Sequence, residues 1–285
     1  MLISRTMSPY PKGHPRYVGT LDEQADEWRK VTLEDVKNFH AKFFGASTGE
    51  FVAIGEIDQP ALLKELESHF GAWPSRMKYT PIAAPYKKVA AINEKIETPD
   101  KENAQFDAVQ RLKLKDDDAD YVPLRIANYM FGGTISARMP DRIRNREGLS
   151  YGAGSRVAVS QHGESASFSA SISSNPANTP KVEASFLDEL KKALREGFTQ
   201  AELDAAKKAF LDGGRIGRSQ DGALLRLLQS REEMGRNLQW DLREETRIAS
   251  LTLAEVNAAF RKHIDPSQIL LIKAGDFKKA GVWQR

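Results

Sequence analysis

Two segments of this chain share one pattern of residue types, and this repeat limits the fold more than any other feature. The first, VTLEDVKNFHAKFFGASTGEFVAIGEID, begins at Val31 and the second, LTLAEVNAAFRKHIDPSQILLIKAGDFK, begins at Leu251, so the ungapped offset is 251 − 31 = 220. Each reads as a capped amphipathic helix, followed by an apolar strand that ends at a glycine and an acidic residue. The repeat therefore indicates two related units, each built of helices and strands.

The two units differ in how much of each the sequence contains. If the second unit needs the stretch from about Asp100 to the end, the first unit begins well before Met1. We therefore expect about 100 residues or more of the first unit to lie outside this sequence. The predicted division is 1–73 for the C-terminal part of one domain, 74–99 for a proline-rich linker, and 100–285 for a complete second domain.

The charges of the chain nearly balance. Its 285 residues include 42 basic and 39 acidic side chains, for a net charge of +3, and 40% of the residues are hydrophobic. These values are typical of a globular protein and predict no nucleic-acid partner. No apolar run approaches the roughly 18 residues of a membrane span, and the first residues lack a signal-peptide pattern. We therefore predict no membrane span, and both cytoplasm and periplasm stay open.

Hydrophobic periodicity predicts where the main strands lie. An apolar run predicts a buried strand at Phe51 to Ile54, and loose alternation predicts another from about Ala104 to Lys115. Two alternating segments, Tyr151 to Ser160 and Glu164 to Ser173, flank Gln161-His162-Gly163 and predict a β-hairpin.

One segment, FGGTISARMPDRIRNREGLSY from Phe131 to Tyr151, concentrates Gly, Arg and Tyr where helical and strand periodicities meet. It predicts a flexible glycine loop, a short helix from about Ser136 that ends at Gly148, and a strand that Tyr151 opens. Arg144 then lies in the last helical turn, seven positions before Tyr151. We therefore expect a guanidinium and a phenol to converge on one small volume.

Two other features have a structural explanation beside a functional one. Arg138, Arg142 and Arg146 recur every four residues, which would suit an anion or nucleic-acid stripe. Acidic residues between and beside them favour a solvated helix face instead. The pair Gly213-Gly214 lacks the GxxxxGK[ST] pattern of a phosphate loop, so it predicts a break between two helices.

With these residues in view, the sequence resembles the insulinase/pitrilysin family of zinc peptidases, the inverzincins. The matching pieces are the loop YPKGHPRY, the helix TLEDVKNFHAKFFGA leading to VAIGEID, the segment RNREGLSY and the closing LTLAEVNAAF, which together cover nearly the whole chain. The likeness is to the C-terminal portion of a long bacterial member. It implies an α+β fold of two-layer sheet-and-helix domains, one complete copy preceded by the C-terminal part of another. It also implies a substrate-clamping or chamber-wall role in a zinc metalloendopeptidase that degrades peptides.

The resemblance also implies a substrate site. In that family an arginine and a tyrosine, spaced as here in a noncatalytic domain, bind substrate opposite the zinc. These roles fall on Arg144 and Tyr151, with further substrate-binding residues between them, namely Gly148, Leu149 and Ser150. A guanidinium and a phenol suit peptide carbonyl oxygens and the negative charge of a tetrahedral intermediate. The strand edge that follows, Tyr151 to Ser155, suits an extended peptide by strand addition.

The sequence lacks the catalytic signature of the family. That signature, H-x-x-E-H, places two histidines on one helix face for zinc and a glutamate beside them as general base. The histidines here stand far apart and there is no cysteine; they are His14, His40, His69, His162 and His263. We therefore predict no metal ligand and no catalytic residue in this chain, and no peptide hydrolysis by it alone. The resemblance places zinc in a catalytic domain, upstream in the same chain or in another subunit, with peptides as substrate.

Two alternatives stay open. Arg144 suits a purely structural role, because an arginine near a helix C-terminus interacts favourably with the helix dipole; Arg144 and Tyr151 are then relics of a degenerate repeat. The whole chain also suits a noncatalytic scaffold relative of the same fold. An H-x-x-E-H sequence in the reading frame upstream of Met1 would favour the peptidase, and its absence would favour the scaffold.

Overall fold

A computed structural model describes residues 1–160 and 162–283 of the chain, which forms two compact units. The first unit comprises Met1, Tyr10–Ile82 and Asp212–Arg243. The second comprises Leu2–Pro9, Ala83–Leu211 and the described residues from Glu244 onward. The domain bounds predicted from the sequence stay a prediction, and the structure groups Asp212–Arg243 with the first unit.

Helices predominate along the chain. In order they are α1 Leu2–Met7, α2 Leu21–Lys30, α3 Leu33–Phe43, α4 Gln59–Phe70, α5 Tyr121–Asn128, α6 Arg138–Pro140, α7 Thr179–Glu196, α8 Gln200–Arg218, α9 Asp221–Glu233, α10 Leu238–Ser250 and α11 Leu253–His263. Wide, π-type turns continue α5 as Tyr129–Gly133 and α6 as Asp141–Arg146. The strands are β1 Asn93–Glu97, β2 Ala104–Leu112, β3 Ser150–Val159, β4 Ala166–Ser174 and β5 Leu270–Gly275. In the part of the chain that the structure describes, no helix has the length and apolar character needed to cross a membrane.

Side-chain caps fix where several helices begin. In α3 the Thr32 hydroxyl accepts the Asp35 N–H while the Asp35 carboxylate accepts the Thr32 N–H, and Thr252 and Glu255 do the same in α11. Each capping box satisfies two backbone donors, one of them among the N–H groups that a helix start leaves unpaired. Hydrogen bonds from the Thr252 hydroxyl, from Arg247 and from the Thr252 N–H lower the pKa of Glu255 to about 2. The capped helix start predicted in each copy of the repeat is therefore confirmed, at Thr32 and at Thr252.

The second unit contains a five-stranded sheet in the order β1-β5-β2-β4-β3. β1 runs parallel to β5, and the other neighbouring pairs are antiparallel. The β3-β4 pair confirms the predicted hairpin, although Gln161 of its predicted turn lies outside the described residues. β2 confirms the strand predicted to begin at Ala104, and β1 forms within the segment predicted as a linker. β3 lies at one edge of the sheet, so one side of its backbone has no strand partner among the described residues.

Helices cover one face of this sheet. Alternate residues of β2 and β4 are buried beneath them, among them Phe106 and Phe168. Phe131, in the wide turn after α5, lies at the centre of the core. Its ring centroid is 6.1 Å from that of Phe168, 6.3 Å from that of Phe186 on α7 and 5.7 Å from that of Phe260 on α11. The second unit is therefore an α+β domain of one helical layer and one sheet, as predicted.

Two predictions of secondary structure are wrong. Phe51 to Ile54 forms no strand, because a strand needs neighbours for its backbone hydrogen bonds and no strand of the described residues belongs to the first unit. Gly213-Gly214 does not break a helix either, since α8 runs without interruption. A glycine inside a helix costs only about 1 kcal/mol relative to alanine, and Leu203 and Ala206 of α8 are anchored in the core.

Candidate functional site

A tight turn at the end of a helical segment connects directly to β3 at the edge of the sheet. The wide turns after α6 end at Glu147, where the N–H groups of Glu147 and Leu149 donate to the carbonyls of Arg142 and Ile143. Gly148, between them, has φ +63°, which glycine adopts at little cost. The prediction that Gly148 ends this helix is confirmed, and β3 follows directly.

Arg144 and Tyr151 line the same depression, which has a volume of about 810 Å³ and lies beside β3. Its walls come from α1, from the wide turn after α5 and from β2, β3 and β4. The other predicted substrate-binding residues, Gly148, Leu149 and Ser150, do not line it. Leu149 instead packs against the core. The structure thus brings together two of the five predicted residues, whose role in binding stays a prediction.

Three arginines near Arg144 have carboxylate partners. Arg138 donates to Glu202 of α8 through Nε and Nη2, at 2.5 and 2.6 Å. Arg146 pairs with Asp141 at 2.9 Å on the surface. The side chains of Arg138 and Arg142 are only 18% and 22% exposed. The solvated face predicted for this stripe is therefore wrong for these two, because carboxylates on α7 and α8 hold them against the protein.

Arg144 has no carboxylate partner among residues 1–160 and 162–283. It is half-buried, whereas Tyr151 exposes 62% of its surface. Asp107 of β2 also lines the depression, and its Oδ1 accepts hydrogen bonds from Ser171 and Gln105. The Arg144 guanidinium can therefore bind an external acceptor without first breaking an ion pair, and hydrogen bonds from a charged donor are among the stronger ones.

Arg142 fixes the neighbouring turn of chain onto α7. Its Nη1 donates to Asp188 at 2.6 Å and to Glu189 at 3.2 Å, both on α7, while its Nε donates to Glu147 at 2.8 Å. Burial by itself would raise the pKa of Glu147, but hydrogen bonds from Arg142 and Ser185 outweigh it and hold this pKa below its ordinary value of 4.5. Glu147 is therefore ionised at neutral pH and ties the helix end in place.

The glycine pair at the start of the segment is not the flexible loop that the sequence predicts. Gly132 is buried, and a Cβ there would lie 2.3 Å from Ser155 Oγ of β3. That hydroxyl is held in place because it donates to Asn128 Oδ1 at 2.8 Å. Asn128 Nδ2 in turn donates to the Ser155 carbonyl at 3.2 Å. The absence of a side chain at Gly132 is what lets the wide turn lie against β3.

Replacing Gly132 with alanine is expected to lower the free energy of unfolding by roughly 1–3 kcal/mol, because the added methyl overlaps Ser155 and Met139. Chemical denaturation measures the change. Gly152→Ala is the matched control, since a Cβ at that position of β3 meets no atom within 4 Å. A loss in G132A no larger than that in G152A would contradict this close packing.

The histidines of the described residues lie apart from one another. Among these residues, no group of three or more His, Asp or Glu side chains is placed to hold a metal ion. His40 stacks on Phe44, with ring centroids 4.9 Å apart. His263 Nε2 lies 3.0 Å from a carboxylate oxygen of Asp120. Both histidines therefore have structural contacts.

Residues 30–210, more than half of the chain, match the family model described as the peptidase M16 inactive domain. The chain belongs to this family. The matched range of the M16 inactive domain includes α3, β1 to β4, Arg144 and Tyr151. The resemblance to a family of zinc peptidases, drawn from the sequence, is confirmed.

The similar proteins with curated names include one named a non-peptidase and one named a zinc protease. The non-peptidase homolog YmxG of Helicobacter pylori is 24% identical over 253 residues, which cover 88% of this chain and 57% of the relative. An uncharacterized zinc protease of Mycobacterium tuberculosis is 24% identical over 282 residues, which cover 92% of this chain and 58% of the relative. The M16 chain therefore spans somewhat more than half the length of these relatives.

Solved structures share the fold. A peptidase M16 inactive domain from Pseudomonas fluorescens has a TM-score of 0.74 at 22% identity and covers 95% of this chain and 64% of its own. The periplasmic protease PqqL from Escherichia coli has a TM-score of 0.68 at 16% identity. This match covers 96% of the present chain and 30% of the PqqL chain. At these identities the likeness concerns architecture alone, and it confirms the predicted α+β class.

Sequence reasoning missed several residues that line the depression. Arg156 on β3 lies opposite Ser169 on β4, and Asp107 lies on the next strand, β2. The sequence could have indicated them, because side chains alternate between the two faces of a strand and these residues fall on the face turned away from the core. The alternation does not tell which strands are neighbours, because β2 and β4 are far apart along the chain.

Proposed function

We propose that this chain forms the substrate-clamping wall of a zinc metalloendopeptidase that degrades peptides, with the zinc site in a partner domain. The main support is the placing of Arg144, which has no carboxylate partner in the described part of the chain, and Tyr151 in one depression beside the free edge of β3. Membership of the M16 inactive domain family and the relative named as a zinc protease support the wider setting.

The depression offers what a peptide backbone needs. Arg144 presents N–H donors to a carbonyl oxygen or a terminal carboxylate, and the Tyr151 hydroxyl adds a donor or acceptor. The free edge of β3, from Tyr151 to Ser155, is suited to strand addition by an extended peptide. The Ser155 carbonyl is already taken by Asn128. These features favour a peptide held in an extended form.

Cleavage in this proposal takes place at a catalytic zinc-binding peptidase domain, upstream in the same polypeptide or in another subunit. Zinc bound in that domain supplies Lewis acidity and an activated water. Arg144 and Tyr151 hold the peptide carbonyl and stabilise negative charge as it develops on the oxygen. No bond-breaking step is assigned to a residue of this chain.

Peptide binding by the chain alone tests the clamp. In a titration with a pool of unstructured peptides, Arg144→Ala is expected to weaken binding about 10-fold or more, because a hydrogen bond from a charged donor is worth roughly 1.5–3 kcal/mol. Tyr151→Phe is expected to weaken it about 2- to 10-fold, since one neutral hydrogen bond is lost. Circular dichroism checks that both variants remain folded.

Arg146→Ala and Tyr79→Phe are the matched controls. Arg146 lies in the same helical segment, but its charge pairs with Asp141. Tyr79 exposes 62% of its surface, as Tyr151 does, and lies outside the depression. Equal binding by the wild type and all four variants, or no binding by the wild type, would count against the clamp.

The second candidate function is a noncatalytic scaffold of the same fold, which the likeness to the non-peptidase homolog YmxG favours. A cleavage assay separates the two candidates. The chain is mixed with a separately produced M16 domain that carries H-x-x-E-H and comes from the same source. The clamp proposal expects peptide cleavage to rise on mixing, and to rise less with Arg144→Ala. If the chain is a scaffold, the two proteins are expected to associate without a change in the rate of peptide cleavage.

A further inference from the structure

Arg156 lies on the open face of the sheet, in the edge strand β3. In the register of the hairpin it is opposite Ser169 of β4. The neighbours of Ser169 along β4, Phe168 and Ala170, are buried beneath the helices. Because side chains alternate between the two faces of a strand and directly opposed residues share a face, Ser169 and Arg156 point away from the helices. Arg156 therefore belongs to the face that the helical layer leaves uncovered.

The charge of Arg156 is not compensated within the described part of the chain. The residue is exposed, and it has no carboxylate partner among residues 1–160 and 162–283. It lines the same depression as Arg144, which likewise has none. Of the described residues that line this depression, Asp107 alone is acidic. The depression therefore carries two positive charges and one negative charge.

Asp107 lies far from the edge at which a peptide would add. It is opposite Ser171 of β4, whose Oγ donates to Asp107 Oδ1 at 2.8 Å, and Ser171 is opposite Gly154 of β3. Neighbouring strands are about 4.8 Å apart, so a strand added beside β3 would lie about 14 Å from Asp107 and only one spacing from Arg156. Charges at about 14 Å are largely screened at physiological ionic strength. Arg156 therefore dominates the charge that such a strand meets.

The open-face positions of β3 that precede Arg156 have no side chain. They are Gly154 and Gly152, and both are opposite serines of β4. A Cβ at Gly152 would meet no atom within 4 Å, so space is free there. Between Gly152 and Arg156 the open face of β3 thus offers an extended peptide one long side chain, at the end of the segment suited to strand addition.

We propose that Arg156 selects peptides that carry an aspartate or glutamate side chain beside it, an inference that rests on the proposed function. A guanidinium binds a carboxylate through two parallel hydrogen bonds. Directly opposed residues of neighbouring strands have Cβ atoms about 4.5–5.5 Å apart, a separation that both long side chains can bridge. Arg144 and Tyr151 then hold the peptide backbone, and Arg156 distinguishes one side chain. The substrate class is acidic peptides.

Two peptides that differ at one position test this selection. Both are unstructured, have acetylated and amidated ends and carry no other charge; one has a central glutamate and the other the isosteric glutamine. In calorimetric titrations the wild-type chain is expected to bind the glutamate peptide about 3- to 5-fold more tightly, the upper range for an exposed ion pair. The preference is expected to vanish in Arg156→Gln and to persist in Arg156→Lys. It is also expected to shrink in about 1 M salt.

Arg195→Gln is the matched control, because it removes the same charge from α7, on the helical side of the sheet. It is expected to keep the preference, and Asp107→Asn is expected to change it by less than about 2-fold. Equal affinity of the wild type for both peptides, or a preference that survives in R156Q, would overturn the selection by Arg156. A preference that R195Q also abolishes would overturn it too, since net charge would then be the cause.

Failure of the clamp gives a different result. The glutamine peptide has no carboxylate for Arg156, so its affinity reports on the clamp alone. Equal binding of this peptide by the wild type and Arg144→Ala would contradict the clamp, whatever the preference for glutamate. Absence of binding of both peptides to the wild type would overturn both proposals.

Discussion

Replacing Phe131 with alanine is expected to lower the free energy of unfolding of the second unit by about 3–5 kcal/mol. Phe131 is fully buried, and its ring lies among Phe168, Phe186 and Phe260. Truncation therefore opens a cavity where β4, α7 and α11 meet. Because a whole domain is stable by only about 5–15 kcal/mol, the loss is a large fraction of the total. Hydrogen exchange at the amides of β4 measures it for this unit separately.

Ile135→Ala is the control for this cavity. Ile135 lies in the same segment but is 58% exposed, so its truncation is expected to change the free energy of unfolding by about 0.5 kcal/mol or less. Similar small losses in F131A and I135A would contradict the placing of Phe131 at the centre of the core.

Much of the fold was predictable because local patterns specify it. The capping box at Thr32 and the alternation that forms the β3-β4 hairpin each depend on residues a few positions apart. The lack of a strand at Phe51 to Ile54 was not predictable in the same way, because an apolar run forms a strand only when other strands pair with it. The helix across Gly213-Gly214 shows the opposite case, in which a helix continues through two residues with a local preference against helix.

The candidate site likewise has one part that the local sequence predicts and one part that depends on packing. Arg144 and Tyr151 reach one depression because Gly148 ends the helix between them, and Gly148 is visible in the sequence. The arginine that stays without a carboxylate partner was not visible there. Arg142 finds its partners on α7 and Arg138 finds its partner on α8, so only the packed structure distinguishes these arginines from Arg144.

Replacing Arg142 with methionine is expected to lower the free energy of unfolding by about 2–4 kcal/mol, as measured by chemical denaturation. Glu189 is only 5% exposed, and a buried carboxylate that loses its cation is costly, by about 3–5 kcal/mol where burial is complete. The 22% exposure of Arg142 reduces this value. Arg146→Met is the matched control, because its pair with Asp141 is exposed and is worth about 1 kcal/mol or less. Equal losses in R142M and R146M would contradict the role of Arg142.

The dependence of stability on pH below neutrality tests the ion pairs of Arg142 more directly. The folded-state pKa of Glu147 lies below 4.5, so its contribution to stability is complete above about pH 4.5 and is lost as the pH falls through the folded value. Arg142 lowers the pKa of Asp188 in the same direction. In R142M these hydrogen bonds are absent while the burial of Glu147 remains, so its pKa rises. The wild type is therefore expected to lose more stability than R142M between about pH 5 and pH 3.

Parallel acid profiles of the two proteins would show that Arg142 acts only through the packing of its alkyl stem. Diverging profiles would show that Arg142 holds Glu147 in place. Arg142 would then also hold the helix end that positions Arg144 and Tyr151. Neither Arg142 nor Glu147 lines the depression. R142M is then expected to weaken peptide binding as well, at a pH where the variant is still folded, because the clamp depends on residues that never touch the peptide.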